Sequence, residues 1–354
     1  MTRNEEDALE IWQQKLLHWR WVTMILILGL CGTVIASTAI GSAEISPFLS
    51  AKVLLNQIPL AGKLFSETPG PVKSIILQVR LPRVITGALV GASLGVAGTT
   101  IQGIFRNPMA EPYTVGVSAG ASLGAVSSIA LGLSFFGMYT IPFMSFLFGL
   151  GAILLVYNVA KVKGRLPIGV LLLAGIAVSL FLSSIVRMLM YTAGEELHGM
   201  VFWVMGGLWA RNWTHVFMIL PFISVGSGVI YYYSRGLNAM LLGEEQAQQL
   251  GHNVEKMKKI LLILSALITS AAVSVSGIIG FVGLIIPHIM RILIGSDHRI
   301  LIPASALGGG IFLVWADAVS RAMLAPIDLP VGIITAMAGG PFFIYLLRRE
   351  KYSF

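Results

Sequence analysis

The sequence predicts an all-α, polytopic membrane protein of about ten transmembrane helices, arranged as two inverted five-helix halves. Three observations predict it. Of 354 residues, 56% are apolar and only 11% charged, with a mean hydropathy of +0.84; a soluble protein carries roughly 25% charged residues. Long apolar runs recur along the whole chain, for example over 21–40, 84–104 and 260–273. One polar stretch, residues 234–259, divides those runs into five and five. An odd number per half makes the halves enter the membrane with opposite polarity.

Each element follows from the same physics. A bilayer core of about 30 Å takes roughly 20 apolar residues per helix, and main chain in lipid must pair internally. The runs are too long and unbroken for the alternating strands of a barrel. Residues 1–20 are too acidic for a signal-peptide n-region and read as an N-terminal cytoplasmic segment. Within it Leu9, Trp12, Leu16 and Trp19 fall at helical spacing. Such a stripe suits either a segment lying along the interface or an ordinary helix leading into the first span. The spans are expected near 20–40, 84–104, 113–133, 138–160, 167–190, 213–233, 260–276, 278–295, 302–323 and 331–348. The boundary between the seventh and eighth rests only on the glycines of SVSGIIGFVG, residues 274–283. The segment 41–83, with its loop-like SETPGPVKS, is too polar to span. The whole of 1–354 then forms one transmembrane domain.

Lys and Arg near the span ends set the orientation. With the N-terminus cytoplasmic, 16 basic residues fall inside and 8 outside, among them Arg80, Arg83, Arg187, Arg211 and Arg321. Both termini are then cytoplasmic. The net charge of +8 reflects that bias and points to no nucleic-acid partner.

Gly87, Gly91 and Gly95 form a tandem G-x-x-x-G in the second span, and Gly116, Gly120 and Gly124 repeat it in the third. Such faces let helices approach at backbone distance. They suggest that these two helices cross closely, joined by the short loop FRNPMAEP. No G-x-x-x-x-G-K-[ST] occurs, so ATP hydrolysis would belong to another chain. Glu44, Glu67, Glu195, Glu196, Asp317 and Asp328 fall near the outer face and the other acids in cytoplasmic segments. A midplane carboxylate relay is therefore not expected, which argues against a proton-driven carrier. Scattered histidines and the single Cys31 predict no metal site and no disulfide within the chain. Arg187, in SSIVRMLMYTAG, either snorkels to the outer interface or faces a translocation path. Met188, Met190, Met200 and Met205 cluster nearby, as packing or as an adaptable pore wall.

Several long motifs, in order, make the chain recognisable. They are Arg80-Leu81-Pro82-Arg83, GASLGVAGTTIQGIFRNPMAEPYTVGVSAGASLGA, GEEQAQQLG, SGIIGFVGLIIPHIMR followed by GSDHR, and LPVGIITAMAGGPFFIYLLRR. Over about residues 21–351 the chain resembles the permease subunits of type II ABC importers, which take up ferric siderophores, haem and cobalamin. The resemblance implies a non-catalytic subunit without a bound cofactor, acting as a homodimer with one pathway lined by the fifth and tenth helices. It also implies a cytoplasmic ABC ATPase dimer, which uses the ATP, and an external substrate-binding protein. Gly243, Glu244, Glu245, Ala247, Leu250 and Gly251 match the segment that docks into the ATPase, with Ala247 and Leu250 as its apolar contacts. Arg80, Arg83 and Arg321 match outer-face arginines that pair with acidic residues of the binding protein. Met200, Trp203 and Met205, within GMVFWVMGG, correspond to a short outer gate helix beside the path. An iron(III)–siderophore chelate is the first expectation for the substrate, with cobalamin or haem as the alternative and molybdate behind them. An ion-coupled secondary transporter is the reading from another class, and a membrane-embedded enzyme finds no catalytic pattern.

Overall fold

The computed structural model describes residues 3–41, 45–57, 70–325 and 327–350; Glu44 and Glu67 lie outside them. The described chain is helical. α1 (Arg3–Ala39) is followed by the short α2 (Pro47–Leu55) and by α3, which runs from Gly70 to Phe105 with a wide turn at Ile75–Arg80. Next come α4 (Val117–Ala130), α5 (Thr140–Ala160), α6 (Ile168–Tyr191), the short α7 (Leu197–Met205) and α8 (Trp213–Tyr232). The polar mid-chain stretch folds as α9 (Ser234–Leu242) and α10 (Glu244–Gln249). The second half holds α11 (Val254–Ser276), α12 (Val282–Ile294), α13 (His298–Met323) and α14 (Val331–Glu350). Among the described residues seven helices are long and apolar enough to cross a membrane, and three shorter apolar stretches, α4, α12 and Val331–Leu346 of α14, bring the total to the expected ten.

Local chemistry sets the helix starts. Asn212 caps α8 by accepting from the main chain of Thr214 and His215, Asn253 caps α11 through Lys256, and Asp297 caps α13 through Arg299. α1 is unbroken over 37 residues, about 55 Å at 1.5 Å per residue. The N-terminal segment therefore continues the first span instead of turning to lie along the interface. Trp19 is buried against α13 and packs beneath the side chains of Lys15 and Arg299.

The packing order follows an inverted repeat in which α3, α4, α5 and α6 correspond to α11, α12, α13 and α14. α3 packs on α13 as α11 packs on α5; α4 packs on α5 and α6 as α12 packs on α13 and α14. α3 and α11 pack on each other. The correspondence ends at the first helix of each half, since α1 lies on α13 whereas α8 lies on α11 and α3.

The glycine faces have other partners than expected. A Cβ at Gly91 would land on the carbonyl oxygen of Gly309, and one at Gly95 on that of Ser305, so α3 uses its stripe against α13. Gly87 faces Leu208 and Val314. Gly120 and Gly124 abut the carbonyls of Phe148 and Met144 on α5. The two glycine-striped helices α3 and α4 thus do not cross on their glycines: α3 turns its stripe to the distant α13, and α4 turns its own to the next helix, α5. Gly116 is a turn residue, with φ of 91° at the start of α4, a conformation that glycine adopts without steric cost.

α4 and α12 have 14 and 13 residues, about 20 Å each, too short alone for a core of about 30 Å. The remaining depth is covered by two stretches without α-helix, 106–116, which holds one 3-10 turn at Pro112–Val115, and 277–281; they approach from opposite ends and meet inside the protein. The main-chain N–H of Phe281 donates to Glu111 Oε1 (2.9 Å), and the Tyr113 hydroxyl donates to the carbonyl of Ile279 (3.1 Å). Glu111 therefore does not sit with the acids of a cytoplasmic segment, as its loop suggested, but at the end of a chain that re-enters the body.

Gly91→Ala is expected to destabilise the protein by about 1–3 kcal/mol through overpacking. Gly151→Ala, where nothing lies within 4 Å, should be neutral or stabilise by about 0.5–1 kcal/mol. Thermal unfolding of the two variants in detergent measures the contrast.

Candidate functional site

Three regions of the fold concentrate chemistry: a groove beside α6, the polar α9–α10 stretch on the face where basic residues predominate, and a charge cluster on the opposite face.

The groove, of about 620 Å³, is lined along α6 by Ile176, Ser179, Leu180, Ser183, Arg187 and Met190. Their spacing of three and four residues puts them on one helical face. Glu111, Tyr113, Ser118 and Ser122 form the facing wall. α6 approaches that wall closely because Gly175 has no side chain: a Cβ there would land on the carbonyl of Thr114. Arg187 is exposed along this groove, a position that both the snorkelling and the path readings allow. Of the neighbouring methionines, Met190 lines the groove. Met200 does not; it is fully buried beside Val126 and Val186, so as a path residue it is corrected to a core residue. Trp203 lines a separate cavity of about 490 Å³ with Trp209, Arg211 and Glu196, and Met205 is exposed.

α7, which carries these residues, is fastened to the interior turn. The N–H of Gly207 donates to the carbonyl of Ser276 (2.7 Å), and the N–H of Gly332 to that of Gly206 (3.3 Å). On its other side, the turn 277–281 holds Phe281 against Gly339 of α14. One short stretch thus touches α7, α14 and the re-entrant segment at Glu111 and Tyr113.

On the basic face, Gly243 (φ 132°) breaks the chain between α9 and α10, and Gly251 (φ 85°) ends the unit. Leu242 and Leu250 are 69% and 63% exposed, and Glu245 points outward. Ala247 is not an outward apolar contact, as the motif suggested; it is fully buried in the chain's own core. Leu242, not singled out from sequence, takes its place. α9 is anchored by Asn238, whose amide donates to Asp297 Oδ1 (2.8 Å) and whose carbonyl oxygen accepts from the N–H of His298 (2.8 Å). Burial opposes ionisation of Asp297. Hydrogen bonds from Arg299 and Asn238 outweigh it and hold the carboxyl well below the usual carboxylate range. α10 is anchored separately through Glu244, which pairs with Lys258 of α11 at 3.0 Å.

On the opposite face, Arg80, Arg83 and Arg321 converge, but not as free outer arginines. Arg80 donates to the carbonyls of Thr38 (2.9 Å) and Ala39 (2.8 Å), and Arg321 to Ile40, to Ser37 and to Asp317 (3.0 Å). Arg83 forms a two-pronged pair with Asp317 and reaches Asp328 at 2.6 Å. Arg80 and Arg321 are buried. The expectation that all three present exposed charges is corrected: two cap the orphan carbonyls at the end of α1, and the third holds the stretch after α13. Asp317 lies in the last turns of α13 and Asp328 just beyond them, and the sequence does not reveal that Asp317 faces inward.

The model of the FecCD transport family matches residues 24–349. A cobalamin import system permease from Halobacterium salinarum is 45% identical over 83% of this chain and 79% of its own length. A hemin transport permease from Yersinia pestis is 36% identical over 92% and 96%. Relatives from Bacillus subtilis and Haemophilus influenzae, 34–40% identical, are named for iron(III)-citrate, iron(III)-hydroxamate and molybdate import. Among solved structures, an inward-facing metal-chelate-type ABC transporter is 31% identical, covers 93% of this chain and 99% of its own, and superposes with a TM-score of 0.81.

Asp317→Asn would leave Arg83 and Arg321 buried around a neutral side chain. It is expected to cost about 3–5 kcal/mol of stability, seen as a lowered melting temperature in detergent, whereas Arg187→Ala should leave that temperature unchanged.

Proposed function

The chain belongs to the FecCD transport family, and on that premise we propose that two copies of it form the membrane channel of an importer driven by a cytoplasmic ABC ATPase dimer. The chain is a multi-pass, non-catalytic permease of the metal-chelate type. In the proposed arrangement both termini and the α9–α10 stretch face the cytoplasm, and an external binding protein delivers the substrate to the opposite face. The observation that carries the reading is the surface of α9–α10. Two large leucines, Leu242 and Leu250, stand exposed on a polar unit that is firmly anchored from behind. Apolar side chains held outward on a rigid mount suit a protein partner.

The mechanism needs no reacting group in this chain. The ATPase changes the separation of its own halves, the α9–α10 units follow, and the helices beside the groove rearrange between two states. The groove offers Arg187, Tyr113 and Glu111, the last already engaged by the N–H of Phe281, together with several hydroxyls among apolar side chains. Such a surface suits passage of a bulky chelate with a polar periphery better than tight capture, and leaves selectivity to the binding protein. Within the chelate class the iron(III)–siderophore expectation now stands second to a metallated tetrapyrrole. The support is the 45% identity to a cobalamin permease, against 40% to an iron(III)-citrate permease and 35% to an iron(III)-hydroxamate permease. Arg187 would meet the carboxylate or phosphate groups that such molecules carry.

Co-expression with the partner ATPase tests the arrangement. Leu242→Asp with Leu250→Asp would place charge in the interface and should cut ATPase co-purification by about tenfold, equivalent to about 1.4 kcal/mol. Undiminished co-purification would overturn the docking assignment. Uptake of labelled cyanocobalamin, haem and a ferric hydroxamate into the same reconstituted vesicles ranks the substrates, and uptake confined to the hydroxamate would reverse the order proposed here.

A further inference from the structure

Lys258 is the one buried lysine among the described residues, with 2% of its side chain exposed. It lies in the first turns of α11, on the face that also carries Val254, Leu261 and Leu262, where periodicity calls for an apolar residue. An ammonium has three donors and no acceptor, and all three are used. Nζ lies 3.0 Å from Glu244 Oε2, 2.7 Å from Glu255 Oε1 and 3.2 Å from the carbonyl of Leu166. Glu255 closes the ring, since its Oε2 accepts from the N–H of Leu166 at 2.8 Å.

These partners belong to three different elements. Glu244 is the first residue of α10, Glu255 and Lys258 sit on α11, and Leu166 lies two residues before α6. α10 is separated from α9 by Gly243, and α9 is tied elsewhere, to Asp297 and His298 at the start of α13. Lys258 thus gives α10 a polar link to α11 and to the start of α6 that is separate from the link of α9 to α13. α6 is an uninterrupted helix of 24 residues whose far half carries Ser179, Ser183 and Arg187 into the groove.

We propose that Lys258 is the positioning residue that couples movement of the ATPase-facing helix α10 to the groove helix α6. The proposal rests on the ATPase-driven reading above. Lys258 touches neither ATPase nor substrate; it holds two carboxylates and a main-chain carbonyl in one moving unit. Removing its charge leaves Glu244 and Glu255 repelling each other around an empty centre, so that α10 can shift without carrying α6.

The test uses the assembled importer, followed by hydrogen exchange of residues 161–170, without nucleotide and after trapping with ATP and vanadate. In the native complex, exchange in this segment should differ by about fivefold between the two states. In Lys258→Met the ATPase should remain bound while that difference disappears, and Lys258→Arg should restore more than half of it. A brace of purely structural importance would instead raise exchange equally in both states, and that outcome overturns the proposal, as does a Lys258→Met complex with the native difference. Should Lys258→Met fail to fold, Glu244→Gln decides, because it frees α10 and leaves Glu255 and Leu166 joined. A native chain that retains no ATPase would refute the ATPase-driven reading itself, and the coupling role with it.

Discussion

Every main-chain polar group at membrane depth has to find a partner within the protein. Ten continuous helices would meet that constraint trivially. This chain does not take that course: it breaks at 106–116 and again at 277–281, and lets both breaks enter the body. They are tolerable because they answer one another, Glu111 accepting from the N–H of Phe281 and Tyr113 donating to the carbonyl of Ile279. The shortness of α4 and α12, the close seating of α7 on Ser276 and the contact of Phe281 with α14 all follow from where these breaks meet.

The same meeting point revises one argument about energy coupling. Read from sequence, the absence of a carboxylate at depth counted against an ion-driven carrier. The structure supplies one, Glu111, on the wall of the groove. Its Oε1 is engaged with a main-chain N–H that would otherwise lack a partner, so its presence has a structural reason. Membership of an importer family, and not the lack of an acid, now separates the two readings.

What was legible in the sequence was whatever depends on local pattern. The spans followed from apolar length, their sorting into two halves from the polar stretch 234–259, and the glycine stripes from spacing. The turn after α11 was marked by glycine alone, and Gly277 does adopt a φ of 65° there. What escaped was whatever depends on which surfaces meet. G-x-x-x-G announces a close approach and does not name the partner, so α3 was matched with α4 instead of α13. Ala247 and Leu250 look alike as apolar residues in a polar stretch, and only the fold turns one inward and the other out. Arg80, Arg83 and Arg321 sit at span ends, where arginine ordinarily reaches water. Nothing local reveals that the uncapped end of α1 and the side chain of Asp317 wait for them. Lys258 left a faint mark, a charge at an apolar phase of α11, visible only once that phase is drawn.

The two buried charge groups differ in a way that fits their places. On the face of Asp317, guanidiniums do the binding. Their planar forks fix the direction as well as the distance of each partner, and they join the end of α1 to α3 and α13, elements already locked by the contact of Gly91 with Gly309. Rigid donors suit a part of the fold that has no reason to move. On the face of α10 the cation is an ammonium, a compact charge with rotatable donors on a flexible stem. It can keep its acceptors while they change direction, which a fork cannot do without breaking one prong. An arginine at 258 would hold the same partners with less freedom of angle, and so restore the coupling only in part; a lysine fixes only their association. A chain that must carry motion from one side of the membrane to the other needs the first kind of bond where it is anchored and the second where it is driven.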